Sequence, residues 1–414
     1  GQIAGEPLGI GGQPCTTVKA WEEGGRIPSA SVINGRVVFM GFRALQLLAI
    51  VASCASKSSS LRTLSVRRGA AFSAMPAIEA ALRDSGAKAI LLDFVDGDAS
   101  DEKHLAALSD AARRDLLKRY SACRDAVRSS PVPVIALGDG PLTGATAALF
   151  LSASRRVVTQ HTTYSLDECS AGLCPGFGAL ATLAECKQPH VAMAVALGVL
   201  TLNAHDCVAL KLGTDYARSD ALDSLRSELL AAPPQYLDVP LSRRAVSGRA
   251  PPHLVPLYAA ETAAPLNEAL QAVFSEPSIS AVVEKLDRYA SRADEHATAL
   301  ANEPCGIHIR TRERADATRD ALQSANEAMT QNCPAALAST FLALRLAASR
   351  PRDQRTAESA LDMDIALDER MRKRGDAKAK AKAWEPPRLS GITEEIAKEV
   401  CEGALGELVA QPRA

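Results

Sequence analysis

Aromatic side chains are scarce in this 414-residue chain: 4% of residues, with two Trp and six Tyr. That leaves little for a surface that reads nucleic acid by stacking bases. Charge of one sign is also missing. Forty-seven basic and 48 acidic side chains give a net charge of -1, which excludes capture of nucleic acid by a global field. The longest apolar stretch, Val37 to Ala52, is interrupted by Arg43 and Gln46. It falls short of the ~20 residues a spanning helix needs, so no membrane association is expected. The ten cysteines contain no CxxC pair and the seven histidines are scattered, so neither a zinc site nor any other metal centre is expected. Buried reduced thiols are the simplest reading of the cysteines. No G-x-S-x-G elbow is present, and no P-loop or G-x-G-x-x-G follows a strand pattern.

The hydrophobic fraction of 47% provides a core, and the length suits one large domain with additions or two to three domains. Residues 1–30 are rich in Gly and Pro, without periodicity, and read as an N-terminal extension. The start at Gly1 rather than Met fits a chain trimmed of a targeting peptide. Residues 54–69 are Ser-rich, carry Arg62, Arg67 and Arg68, and read as an inserted loop. A helix is expected over 70–84, closed by Gly86.

Strand and helix then alternate. Ala89–Val95 and Pro133–Leu137 are nearly continuous apolar runs, the pattern of strands buried on both faces. A helix over 106–129 separates them. Gly144–Leu151 is small and apolar, fitting a tightly packed helix, and Arg156–Thr159 is a third strand. Beyond Asp220 the strands are expected to stop, with helices near 221–231, 263–274, 278–302, 315–330, 334–348 and 355–374. Residues 370–382 carry seven basic side chains. The order predicts an α/β fold followed by a helical C-terminal region.

Four segments resemble the crotonase (enoyl-coenzyme A hydratase/isomerase) superfamily, and within it the 3-hydroxyisobutyryl-coenzyme A hydrolase branch. They are Pro133–Gly144, Tyr164–Gly178, Leu197–Asp215, and a tail with Asn332-Cys333-Pro334, Met371-Arg372 and Trp384-Glu385-Pro386-Pro387. The resemblance implies a crotonase-like ββα spiral core over 31–220 and a helical region over 221–414. It also implies a coenzyme A thioester as ligand where the pocket persists, with no resident cofactor. Two backbone N–H groups in that family hold the thioester oxygen as it becomes an oxyanion, each worth about 3–4 kcal/mol.

Mapped onto this chain, the family's site looks damaged. After the strand ending at Val95, the first oxyanion loop is reduced to Asp96-Gly97-Asp98, leaving Gly97 as nearest donor. The Gly triplet supplying the second donor reads Gly144-Ala145-Thr146. Glu168 stands at the position of the family's acid–base glutamate, where a solvated loop carboxylate is the simpler alternative. Gly176 replaces the hydrolase Asp, and Arg119-Tyr120 replaces a Glu-Tyr pair. Hydrolysis needs one group to activate the attacking water and another to orient or protonate. A catalytically degenerate member is therefore implied. The hydrolase has a relative incorporated in the small subunit of mitochondrial ribosomes, which implies a structural role there, in the mitochondrial matrix. Mitochondrial ribosomal proteins and rRNA would be its partners. Local basic patches would make the contacts: Arg62, Arg67 and Arg68; Arg243 and Arg244; Arg372, Lys373 and Arg374. Two other readings stay open: an acyl-coenzyme A hydrolase or hydratase using Glu168, and a coenzyme A-binding regulator without turnover.

Overall fold

The computed structural model describes strands within residues 7–39 and then residues 61–96, 101–247, 264–302, 309–351 and 357–374. The chain divides into two compact units, Gly1–Ser59 and Ser60–Ala414. In the first, Pro7–Ile10, Gln13–Val18, Ala30–Ile33 and Arg36–Phe39 form a four-stranded antiparallel sheet in that order. The Gly/Pro-rich segment expected to be irregular thus contains strands; its glycines had masked their short lengths. The expected helix or strand over 45–52 lies outside the described residues.

The second unit is built on a six-stranded sheet. Its strands are β1 (Leu61–Arg67), β2 (Ala89–Val95), β3 (Val134–Gly138), β4 (Arg155–Val158), β5 (Asp215–Ala217) and β6 (Ala245–Ser247). Spatial order follows chain order, β1 to β6, and every pair is parallel except the antiparallel β5–β6. Two expectations are corrected here. Residues 61–67 are a strand, not a loop: their Arg and Ser side chains mark a half-exposed edge strand, where one face needs no apolar residues. Strands also do not stop at Asp220, since the three-residue β6 closes the far edge, too brief to give a periodic signal.

The continuous apolar run of β2 has a plain cause. Ile90, Leu92 and Phe94 enter one core with Val134 and Ala136, while Ala89 and Leu91 enter a second with Ile135, Leu137 and Val157. Successive side chains point to opposite faces, and both faces are covered. The second core is closed by Leu222, Leu225 and Leu229 of α5 (Leu222–Ala231). Asp93 falls on that face, and Arg226 of α5 donates to it at 2.9 Å.

The first face carries α1 (Ala71–Arg83), α2 (Asp110–Arg128), α3 (Gly144–Ser152) and α4 (Pro189–Ala196). Alanines and glycine let α3 sit almost wholly inside the core. The α2 helix starts at Ser109, whose side chain accepts from the Ala112 N–H at 3.3 Å. Five further helices follow: α6 (Ala264–Phe274), α7 (Ile279–Asn302), α8 (Ile309–Gln331), α9 (Pro334–Ser349) and α10 (Ala357–Arg374). Leu270, Leu286, Met329, Leu337 and Leu367 from these helices join the same core, so they complete it rather than forming a separate body. No helix among the described residues is long and apolar enough to cross a membrane.

Candidate functional site

A small three-stranded sheet beside the main one positions Glu168. Thr163–Tyr164 pairs with Pro141–Leu142 on one side and Leu202–Asn203 on the other. The chain then turns through a 3-10 segment, Glu168–Ala171, ended by Gly172 with φ 77°. The Asn332 side chain donates to the Leu197 carbonyl at 2.8 Å, and the Cys333 N–H donates to the Cys169 carbonyl at 3.0 Å. The start of α9 is thereby fastened beneath this turn. Glu168 is buried, only 4% exposed, not the solvated loop carboxylate that was its simpler alternative. Tyr164 is also buried. Burial first, and then the Glu168 charge, push its hydroxyl well above the usual tyrosine range.

Gly144 and Ala145 open α3, both buried. What surrounds them differs from an open anion site. The Ala145 carbonyl accepts from the Tyr120 hydroxyl of α2. The Thr146 hydroxyl oxygen accepts the Gly69 N–H at 2.9 Å. The Ala70 N–H goes to the Arg67 carbonyl, and the first two donors of α1, the Ala71 and Phe72 N–H groups, go to the Asp101 carboxylate at 2.9 and 3.3 Å. The backbone that meets the α3 start is therefore the turn between β1 and α1. Gly97, expected as the nearest first donor, lies outside the described residues.

Three rings cluster around the Tyr120 that holds the Ala145 carbonyl. Tyr120 packs edge-on against Phe72, with centroids 5.1 Å apart, and against Phe177 at 5.6 Å; Phe72 and Phe177 lie 5.7 Å apart. Phe177 takes a left-handed backbone, φ 58°, uncommon for a bulky residue. It is held by Arg124, four residues along the same face of α2 from Tyr120, which donates to the Phe177 carbonyl. Gly178 follows with φ 75°, and its N–H donates to Asp364 of α10 at 2.6 Å. A side chain on Gly178 would sit 2.5 Å from the Arg124 guanidinium. Around Gly176, by contrast, a Cβ would meet nothing within 4 Å. Sequence reasoning missed Phe72, Asp101, Arg124, Phe177 and Asp364. The only signal available was the i, i+4 spacing of Tyr120 and Arg124.

The basic candidates are scattered. Arg62 donates to Asp84 at 2.6 Å. Arg68 pairs with Asp96, exposed at the end of β2, and donates to the Asp139 carbonyl. Gly140 has φ 117°, and a side chain there would collide with the Arg68 guanidinium. Arg68 thus ties β1 to the turn after β3. Arg372 donates to Asp368 at 2.8 Å and is largely buried. Arg67, Arg243 and Lys373 are exposed, while the side chains of Arg244 and Arg374 lie outside the described residues, as does the Trp384–Pro387 segment.

The six described cysteines are unbridged. Burial pushes the Cys169 thiol up to about 12, which removes it as a nucleophile near neutral pH. Among the described residues no group of three or more His, Cys, Asp or Glu could hold a metal ion. Cavities of about 580, 340 and 340 Å³ open among the described residues. Neither Glu168 nor Ala145 lines any of these three.

The fold has known counterparts. A carnitinyl-CoA dehydratase from Mycobacterium thermoresistibile superposes with a TM-score of 0.62 at 17% identity, covering 83% of this chain and 94% of that one. An enoyl-CoA hydratase from Rhodobacter sphaeroides superposes with a TM-score of 0.58 at 17% identity, covering 84% and 95%. At such identity the likeness is one of fold. No curated protein matches the sequence significantly. The profile of the enoyl-CoA hydratase/isomerase family matches residues 97–400, most of the chain. On that match the chain belongs to the enoyl-CoA hydratase/isomerase family, within the crotonase superfamily.

Proposed function

We propose that this chain is a crotonase-fold protein without thioester turnover, and that it serves as a structural component of the small subunit of the mitochondrial ribosome, in the matrix. The observation that carries the non-catalytic reading is the packing at Ala145. Tyr120, backed by Phe72 and Phe177, is bonded to the α3 start, and the neighbouring Gly69, Ala71 and Phe72 N–H groups already serve Thr146 and Asp101. The Ala145 carbonyl is likewise committed, to the Tyr120 hydroxyl, so the polar groups described around the α3 start serve the packing of the core. Donors aimed at developing charge accelerate acyl transfer only when they are preset and unoccupied. Gly176 leaves Glu168 without the second carboxylate of the hydrolase branch, and water activation paired with protonation of the leaving group needs two.

The ribosomal part of the proposal rests on the resemblance to the hydrolase branch. Exposed Arg67, Arg243 and Lys373 remain available for an acidic partner or an RNA phosphate. The chain is expected to co-sediment with small mitochondrial ribosomal subunits; recovery only as free matrix protein would reject the assignment.

A second reading, an acyl-coenzyme A hydrolase, is favoured by one observation, the burial of Glu168 beside Tyr164. Purified chain mixed with a 3-hydroxyacyl-coenzyme A thioester separates the two. The structural reading expects hydrolysis at the background rate, unchanged in Glu168→Gln. Turnover that collapses in Glu168→Gln would establish the hydrolase instead.

A further inference from the structure

The cavity of about 580 Å³ lies at the opposite end of α3 from Ala145, where α2 and α3 finish and β4 begins. The nine residues of α3 span about 14 Å, so this cavity is separate from the Glu168 region. Its size falls in the range of small-ligand sites, on the order of 300–1,000 Å³. Five basic and three acidic side chains line it.

None of the five basic groups closes an ion pair with these acids among the described residues. Arg156 donates to the carbonyls of Leu212 at 2.7 Å, Ala153 at 2.8 Å and Lys211 at 2.9 Å, so its fork grips backbone rather than carboxylate. Burial, and then the nearby Arg128 charge, press its pKa downward, the mark of like charges held together. Arg128, Lys187 and Lys211 make no ion pair among the described residues. Lys211 has a left-handed backbone, φ 63°, and the Arg156 fork on its carbonyl fixes it at the rim.

The floor holds Arg124 and Asp364, each 7% exposed. They do not form an ion pair with each other among the described residues, and Arg124 Nε and Asp364 Oδ1 have no hydrogen-bond partner. Arg124 is already served by the Phe177 carbonyl and by the Asp364 charge, which leaves Arg128, Arg156 and Lys211 to receive an anion. No aromatic residue lines the cavity, which removes stacking of a nucleobase, whereas Ser121 supplies a hydroxyl and Thr182, whose own proton goes to the Gly178 carbonyl, an acceptor oxygen. Arg156 is half-buried within the cavity rather than set on an open basic face, which disfavours an RNA backbone.

We infer that this cavity binds a small organic phosphate, with the phosphate on Arg128, Arg156 and Lys211 and a polyol portion toward Ser121, Thr182 and Asp364. The inference does not rest on the ribosomal reading. It is tested by calorimetry on the full chain with glycerol 3-phosphate, inorganic phosphate, glycerol and a short single-stranded RNA. Glycerol 3-phosphate is expected to bind more tightly than inorganic phosphate, and glycerol not at all. Arg128→Gln and Lys211→Gln, both exposed and remote from the core, should each weaken binding about tenfold, the loss of one charge-assisted hydrogen bond. Arg67→Gln, on β1, should leave it unchanged. No heat with glycerol 3-phosphate would overturn the site. So would equal binding by the Arg128→Gln/Lys211→Gln double variant, or binding by RNA alone.

Discussion

Gly176 and Gly178 stand two residues apart and obey opposite constraints. A Cβ at 176 meets open space and its backbone lies outside the left-handed region; one at 178 strikes a guanidinium on a left-handed backbone. Gly176→Asp should therefore leave the midpoint of urea unfolding nearly unchanged, within about 0.5 kcal/mol. Restoring that carboxylate is also expected to restore no thioester hydrolysis, because Tyr120, backed by Phe72 and Phe177, stays bonded to the α3 start. Hydrolysis by Gly176→Asp would mean the packing there gives way to substrate. Asp364 makes a pH prediction. Burial is the main cause that pushes its carboxyl up to about 7, aided by Asp368 and opposed by the Gly178 N–H and Arg124. With a lower value of 3.8 in the unfolded chain, the native state binds the extra proton between about pH 4 and 7. Its contribution to stability is thus full below that window and falls as pH rises through it. Asp364→Asn should match the parent Tm at pH 4 and exceed it at pH 8, by at most a few kcal/mol in stability. A parallel Tm profile would remove this assignment.

Among the elements, the β4–β5 pairing depends on a charge. Asp215 is buried at the start of β5 and receives two bonds from Arg155 of β4, at 3.0 and 2.8 Å. Removing one partner of a buried pair leaves an uncompensated charge. Arg155→Met should cost about 3 kcal/mol or more in urea unfolding. Asp238→Ala removes only the exposed second contact of Arg155 and should cost under about 1 kcal/mol. Equal effects would mean that Arg155 acts by packing alone. The α2–α10 contact is a second charged junction: Arg114 pairs with Glu369, and Arg113 reaches Asp368 at 3.8 Å. Most elements were legible in advance. The boundaries of α1, β2, α3, α6, α7 and α9 fall within one or two residues of the sequence expectation. Their runs are apolar with a clear period or closed by Gly and Pro. Within the main sheet the failures, β1 and β6, are edge strands. An edge needs no apolar alternation, so nothing in the local pattern distinguished them from loops.

For the molecule as a whole, every strand of the main sheet and both cores lie in Ser60–Ala414. A fragment with those residues is expected to keep the helical circular dichroism and melt in one cooperative transition. Loss of cooperativity would show that residues 1–59 are needed for folding. The helices after α5 belong to the same core as the sheet, which the change from alternating to all-helical sequence did not reveal.

The family, the α/β class and the helical tail were written in the order of short motifs and periods, because those depend on residues near one another in sequence. The state of the site was not. Whether Glu168 is solvated or buried, and whether the α3 start is open or committed to the core, depends on contacts between residues such as Phe72, Tyr120 and Phe177, which stand far apart in the chain. Likewise, basic residues that looked equivalent divide into Arg62, Arg68 and Arg372, held by internal acids, and Arg67, Arg243 and Lys373, left at the surface. A side chain's charge is fixed by its identity; the group that neutralises it is chosen only when the fold brings distant acids and carbonyls within hydrogen-bonding reach.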